Sequence, residues 1–123
     1  MVKPILILLV EDDEDVFDSV SEELLAAGYE VAGARTAAQA LAYLKEGHHP
    51  SAMLIDFMMP DATASALLDA CRADPQLAGI PALVMSAARP RDLLARGVER
   101  FLQKPFHPDK LQEELTRLLQ MTS

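Results

Sequence analysis

Short aliphatic runs alternate with longer amphipathic stretches five times along the chain, and this alternation most restricts the fold. Ile5-Leu6-Ile7-Leu8-Leu9-Val10 is apolar on both faces, as a strand covered by helices on both sides must be. Val16, Val20, Leu24 and Ala27 follow at helical spacing, and Gly28 closes that helix. A short second strand is read over Glu30 to Ala34. Thr36 is placed to cap a helix with apolar positions Ala37, Leu41 and Leu44, ended by Gly47. Ala52 to Ile55 forms a third buried strand running into Asp56. Leu67, Leu68 and Cys71 mark a third helix that stops near Asp74-Pro75. Pro81 to Met85 gives a fourth strand ending at Ser86, and a brief helix over Asp92 to Arg96 is cut by Gly97. Glu99 to Gln103 is the fifth strand, and Leu111, Leu115 and Leu118 stripe the last helix.

Five β–α units predict an α/β, doubly wound fold: a parallel sheet joined by right-handed crossovers, with helices on both faces. At 123 residues the chain is expected to be a single domain over 1–123. One cysteine, Cys71, forms no internal disulfide and fits a reducing, cytoplasmic compartment; its surroundings read as a buried helix position. The six-residue run at Ile5 is too short to span a membrane or serve as a signal peptide.

The formal net charge of −8 argues against direct partnership with nucleic acid or an anionic membrane. It is concentrated: without Glu11, Asp12, Asp13, Glu14 and Asp15 the net would be −3. In sheets of this class ligands bind beyond the carboxyl ends of the strands. There the chain offers Glu11-Asp12-Asp13 after strand one, Asp56 after strand three, Ser86 after strand four and Lys104 after strand five. Strand two ends without an obvious functional group. Taken singly, each has an ordinary explanation: acids favouring a helix start, caps at Asp56 and Ser86, an exposed loop lysine. Four such groups at the mouth of one crevice point to a shared site. Clustered carboxylates call for a hard divalent cation, and Mg²⁺ suits one or two carboxylates plus a phosphate. Lys104 and Ser86 supply a positive charge and a hydroxyl for phosphoryl oxygens, leaving Asp56 as a nucleophile.

With these pieces in order, Ile7 to Asp13, Asp56-Phe57-Met58-Met59-Pro60, Met85-Ser86-Ala87 and Lys104-Pro105-Phe106, the chain resembles the receiver domain of two-component response regulators along its whole length. The resemblance implies a (βα)5 flavodoxin-like three-layer sandwich with strand order 2-1-3-4-5. It also implies a phosphohistidine donor on a sensor histidine kinase or histidine phosphotransfer protein, and an unknown downstream protein as target. By the same resemblance Asp56 is the phosphoacceptor, Asp12 ligates Mg²⁺ directly, Glu11 acts through water, and the Met58 backbone carbonyl completes the protein ligands. Asp13 competes for the acidic pair; Glu11–Asp12 is preferred because Val16 then opens the helix as receivers usually have it. Ser86 and Phe101 match the two switch positions, and Lys104–Pro105 matches the family's cis peptide. Such a protein catalyses only its own phosphorylation and dephosphorylation and is not otherwise an enzyme.

The departures are specific. Ala64 stands where receivers commonly have Gly. The segment from Ser86 to Lys104 is short, at the expense of the fourth helix, so the family's usual dimer is not carried over. Met58 and Ala88 occupy the positions that steer an attacking water, and both lack polar side chains, which implies a long-lived phosphoryl group. His48 and His49 are adjacent and lack an evident third ligand, so a metal site there is not expected. The six methionines read as core filler. A dehalogenase-like aspartyl-phosphate hydrolase would need an acid at position 58, which holds Met58. The remaining alternative is a phosphorylation-independent, receiver-like interaction module, though its usual mark, loss of the acceptor, lysine or acids, is missing. Only Met121-Thr122-Ser123 follow the last helix, so the chain is expected to be stand-alone or excised, with Met1 favouring the first.

Overall fold

The computed structural model describes residues 4–87, 90–95 and 100–120. Strands and helices alternate as β1 (Leu6–Val10), α1 (Glu14–Ala26), β2 (Glu30–Ala34), α2 (Ala37–Lys45), β3 (Ala52–Asp56), α3 (Ala64–Arg72), β4 (Ala82–Ser86), α4 (Pro90–Ala95), β5 (Phe101–Gln103) and α5 (Pro108–Gln120). All strand pairs are parallel, and the order across the sheet is β2-β1-β3-β4-β5. The doubly wound architecture and strand order expected above are those of the structure.

Alternate side chains of each central strand point to opposite faces, and each face carries its own aliphatic core. Ile7, Leu9, Leu54, Leu83 and Met85 pack with Val20 and Leu24 of α1 and Leu111, Leu115 and Leu118 of α5. Leu8, Val10, Met53, Ile55 and Val84 pack with Ala40 and Leu44 of α2, Leu67, Leu68 and Cys71 of α3, and Leu93 of α4. Three layers result. Among the described residues no helix is long and apolar enough to cross a membrane.

The helix ends follow local chemistry. Asp13 caps α1 by accepting from Val16 N at 3.0 Å, Thr36 caps α2 by accepting from Gln39 N at 3.0 Å, and Thr63 caps α3 by accepting from Ala66 N at 3.3 Å. Gly28 and Gly47 take left-handed φ of +93° and +100° just past α1 and α2, where a side chain would be strained.

Several details depart from the sequence reading. Ala27, placed on the apolar stripe of α1, lies past the helix end and is exposed. Helix α4 starts at Pro90, two residues before the expected Asp92, and the expected stop at Arg96 and Gly97 lies outside the described residues. The fifth strand begins at Phe101; Glu99 lies outside the described residues, although Val84 N still donates to Arg100 O at 3.0 Å. Met53, Met59 and Met85 are core residues, but Met58 is 64% exposed because it sits in the loop after β3 rather than in the sheet. Met1 and Met121 lie outside the described residues. Cys71 is buried, and burial, aided by the nearby Asp74 charge, pushes its thiol pKa up, as expected of an inert core thiol. His48 stacks on Tyr43 with ring centroids 4.3 Å apart, and its Nε2 lies 3.5 Å from Glu46.

An unanticipated contact joins α1 to β2. The Arg35 guanidinium lies 3.8 Å from the centroid of the Phe17 ring, and a Cβ at Gly33 would fall 2.4 Å from Phe17 Cζ. Gly33 is therefore the residue that lets the ring lie on the strand. Gly33→Ala is expected to cost about 1–2 kcal/mol by forcing the ring aside. Urea midpoints should show that cost falling in a Phe17→Ala background; an equal cost in both backgrounds would show the ring is not the obstacle.

Candidate functional site

The sheet register brings the proposed residues to one edge. Val10 is opposite Ala34 and Ile55, and Asp56 is opposite Met85. Glu11 N donates to Ala34 O at 3.0 Å, so Glu11 continues along the line of β1 and is buried, with 1% of its surface exposed. Lys104 N donates to Ser86 O at 2.8 Å, which docks the residue after β5 beside the end of β4. The Lys104–Pro105 peptide is cis.

From that backbone the Lys104 ammonium reaches two carboxylates. Its Nζ is 2.8 Å from Asp56 Oδ1, to which it donates, and 3.8 Å from Glu11 Oε1. One carboxylate oxygen each from Glu11, Asp12 and Asp56 lies within 4.8 Å of the others. Three acids thus face a single ammonium, and the deficit is visible in Glu11. Burial first, then the Asp56 charge, pushes its pKa up from 4.5 to about 7, against the opposing pull of Lys104. Glu11 Oε2 is buried with no hydrogen-bond partner, an uncommon and costly condition.

This donor set fits a hard divalent cation. It is all oxygen, it carries excess negative charge, and it includes a buried orphan oxygen. Asp13 stands apart, because its carboxylate is engaged as the α1 cap. Met58 lies in the loop 57–63, which is folded by Met59 N donating to Ala62 O at 3.2 Å, Ala64 N donating to Phe57 O at 2.8 Å, and an antiparallel bridge between Met58 and Thr63. Ala64 is fully buried at the start of α3, so the absence of Gly there is accommodated within the core.

Ser86 is buried at the carboxyl end of β4. Phe101 starts β5 opposite Val84, half-buried against the α2–α3–α4 core, two residues down the sheet from the edge that holds Ser86. The exposed Ala87 follows Ser86, and Ala88 lies outside the described residues.

Sequence reading missed Asp61. Its Oδ1 accepts from Ala37 N and its Oδ2 from Ala38 N, both at 2.9 Å, so a loop beyond β3 seals the start of α2. Those two bonds, Ala37 first, hold its carboxyl pKa below the usual value. No local signal marks Asp61, because the first N–H groups of every helix lack an intrahelical partner and the sequence does not say which loop meets them.

Comparison with known proteins agrees with this geometry. The family model for the response regulator receiver domain matches residues 7–116. Response regulator Rre1 of Synechocystis sp. is 33% identical over 124 residues, covering 97% of this chain and 53% of the relative. The phosphate regulon transcriptional regulatory protein PhoB of Pseudomonas aeruginosa is 28% identical, covering 94% of this chain and 52% of the relative. The chain spans about half the length of the curated relatives it matches. Among solved structures, a putative response regulator from Chloroflexus aurantiacus superposes with a TM-score of 0.88 at 28% identity, covering 96% of this chain and 99% of that one. The chemotaxis response regulator CheY4 of Vibrio cholerae gives 0.84 at 28% identity, covering 94% and 99%. Since the family match runs from β1 into α5 and carries Glu11, Asp12, Asp56, Ser86 and Lys104 with it, the chain belongs to the response regulator receiver domain family.

Proposed function

We propose that this domain accepts a phosphoryl group on Asp56 from a phosphohistidine donor, with Mg²⁺ in the acidic cluster, and thereby controls a partner protein. The observation that carries the reading is the 2.8 Å contact of Lys104 with Asp56 inside a group of three carboxylates. Glu11, Asp12, Asp56 and the Met58 carbonyl would hold the metal. When bound, Mg²⁺ supplies charge neutralisation at the carboxylates and the phosphoryl oxygens. A carboxylate oxygen of Asp56 forms a bond to phosphorus as the phosphorus–nitrogen bond of the donor breaks. The imidazole leaves with that bond's electron pair and takes a proton from solvent. Lys104 places an ammonium against the incoming charge, and Ser86 offers a hydroxyl to a phosphoryl oxygen. Ser86 and Phe101 are the pair through which the sheet edge would be coupled to the α4–β5 side. The chain catalyses its own modification only. Donor and target are a cytoplasmic histidine kinase or phosphotransfer protein and a downstream protein.

The reading is tested by exposing the protein to a small phosphodonor and weighing it. Mass equal to one phosphoryl group should appear with Mg²⁺ and be lost with chelator; mass gain insensitive to chelator would contradict the metal's role.

The exposed apolar side chain of Met58 offers no hydrogen bond to a hydrolytic water, so the acyl phosphate should be long-lived. Met58→Asn is expected to shorten its lifetime by about tenfold, less than the roughly 10²–10⁴-fold of a full general acid or base because the amide only orients the water. The check is phosphoryl loss after donor removal; equal decay in both proteins would refute it.

A further inference from the structure

We infer that Asp61 is a positioning residue, clamping the loop that follows the phosphoacceptor and carries the Met58 carbonyl onto the start of α2. The inference rests on the metal-dependent phosphoacceptor reading above.

The loop 57–63 begins directly after Asp56 and ends at the cap of α3. Its internal bonds, Met59 N to Ala62 O and the Met58–Thr63 bridge, fold it on itself. Phe57 N donating to Met85 O at 2.9 Å and the buried Phe57 and Met59 side chains hold the first half of the loop. Asp61 holds its far end, because both its oxygens reach back 24 and 23 positions to Ala37 N and Ala38 N. These are charge-assisted bonds to a helix N-terminus, stronger and more directional than neutral ones.

The needs of α2 alone do not account for two such bonds. Thr36 Oγ1 already accepts from the third N–H of the helix at Gln39, and Thr36 O accepts from the fourth at Ala40. The first two N–H groups of a helix can be met by water or by a neighbouring cap, without a distant loop. Here they anchor a loop from a different strand, five residues after Asp56. Mg²⁺ tolerates little departure from octahedral geometry at about 2.1 Å, so a carbonyl ligand that wanders by a few tenths of an ångström loses much of its value. The two Asp61 bonds hold the part of the loop beyond the buried Met59, which its internal bonds alone leave free to rock.

Asp61→Ala and Thr36→Ala separate positioning from capping, since each removes a cap of the same helix but only the first releases the loop. Thermal midpoints and Mg²⁺ dissociation constants from titration calorimetry are measured for both and for wild type. Both variants should melt at lower temperature. Only Asp61→Ala should weaken Mg²⁺ binding, by about tenfold, the low end for losing a group that orients a metal ligand. Asp61→Asn keeps one acceptor oxygen and should fall between; it carries the comparison if the alanine variant does not fold. Mg²⁺ affinity within twofold of wild type in Asp61→Ala, or an equal loss in Thr36→Ala, would overturn the inference while leaving the site intact. A wild-type protein that binds no Mg²⁺ would overturn the reading of the site, and the inference with it.

Discussion

Lys104→Met is expected to slow phosphoryl uptake by Asp56 about 100- to 1000-fold at saturating Mg²⁺, the usual cost of removing one preorganised charge stabiliser. The methionine keeps an apolar stem of similar length, so the loss reports the charge rather than the packing. Lys104 is the single cation within 4 Å of Asp56 among the described residues. It holds its place through its backbone bond to Ser86 O, which no side-chain replacement disturbs. Without it, negative charge on the equatorial phosphoryl oxygens meets three carboxylates with only the metal to offset them. Initial rates of mass gain with a small phosphodonor give the number directly. A fall of less than about threefold would show that the ammonium serves the fold and not the transfer.

The second large effect is on stability, and it reverses the usual carboxylate behaviour. Glu11 has a folded-state pKa of about 7 against 4.5 in the unfolded chain. Between those values the folded protein holds a proton that the unfolded chain has released. Its contribution is therefore fully present below about pH 4.5 and is lost as the pH rises through about 7. At about 1.4 kcal/mol per pKa unit, raising the pH across this window should cost the metal-free protein about 2–3 kcal/mol. Urea midpoints in chelator at pH 5 and pH 7.5, wild type against Glu11→Gln, isolate the term, because all other titrating groups are shared. Adding Mg²⁺ at pH 7.5 should reverse the loss, by about 2.7 kcal/mol at a hundredfold excess over the dissociation constant. A pH slope unchanged in Glu11→Gln would mean that the buried acid is not the source.

What the chain revealed before its fold was known follows from how each residue is used. Strands β1, β3 and β4 are buried on both faces, so their apolar runs read plainly. Strand β5 has three residues, and only Leu102 is buried, so its start at Phe101 was not legible. The placement of Glu11, Asp12, Asp56, Ser86 and Lys104 was legible because each lies at or just beyond the end of a strand, and parallel strands bring those ends together. Asp61 was not, since its value lies in two backbone groups more than twenty positions away, which only the packing of α2 beside the β3–α3 loop supplies. Gly33 likewise reads as a weak strand residue until the Phe17 ring, itself paired with Arg35, is found lying over it. Met58 was misread as core because apolar character alone does not tell a sheet position from the loop residue two places beyond it.

Asp56 is the destination of the phosphoryl group in the proposed transfer. The most direct measurement is the intact mass of wild type, Asp56→Ala and Asp109→Ala after exposure to a small phosphodonor with Mg²⁺. Asp109 opens α5 on the exposed surface and is the control for adventitious labelling of a carboxylate. One phosphoryl group on wild type and on Asp109→Ala, with none on Asp56→Ala, is the predicted result. Labelling that persists without Asp56 would contradict it.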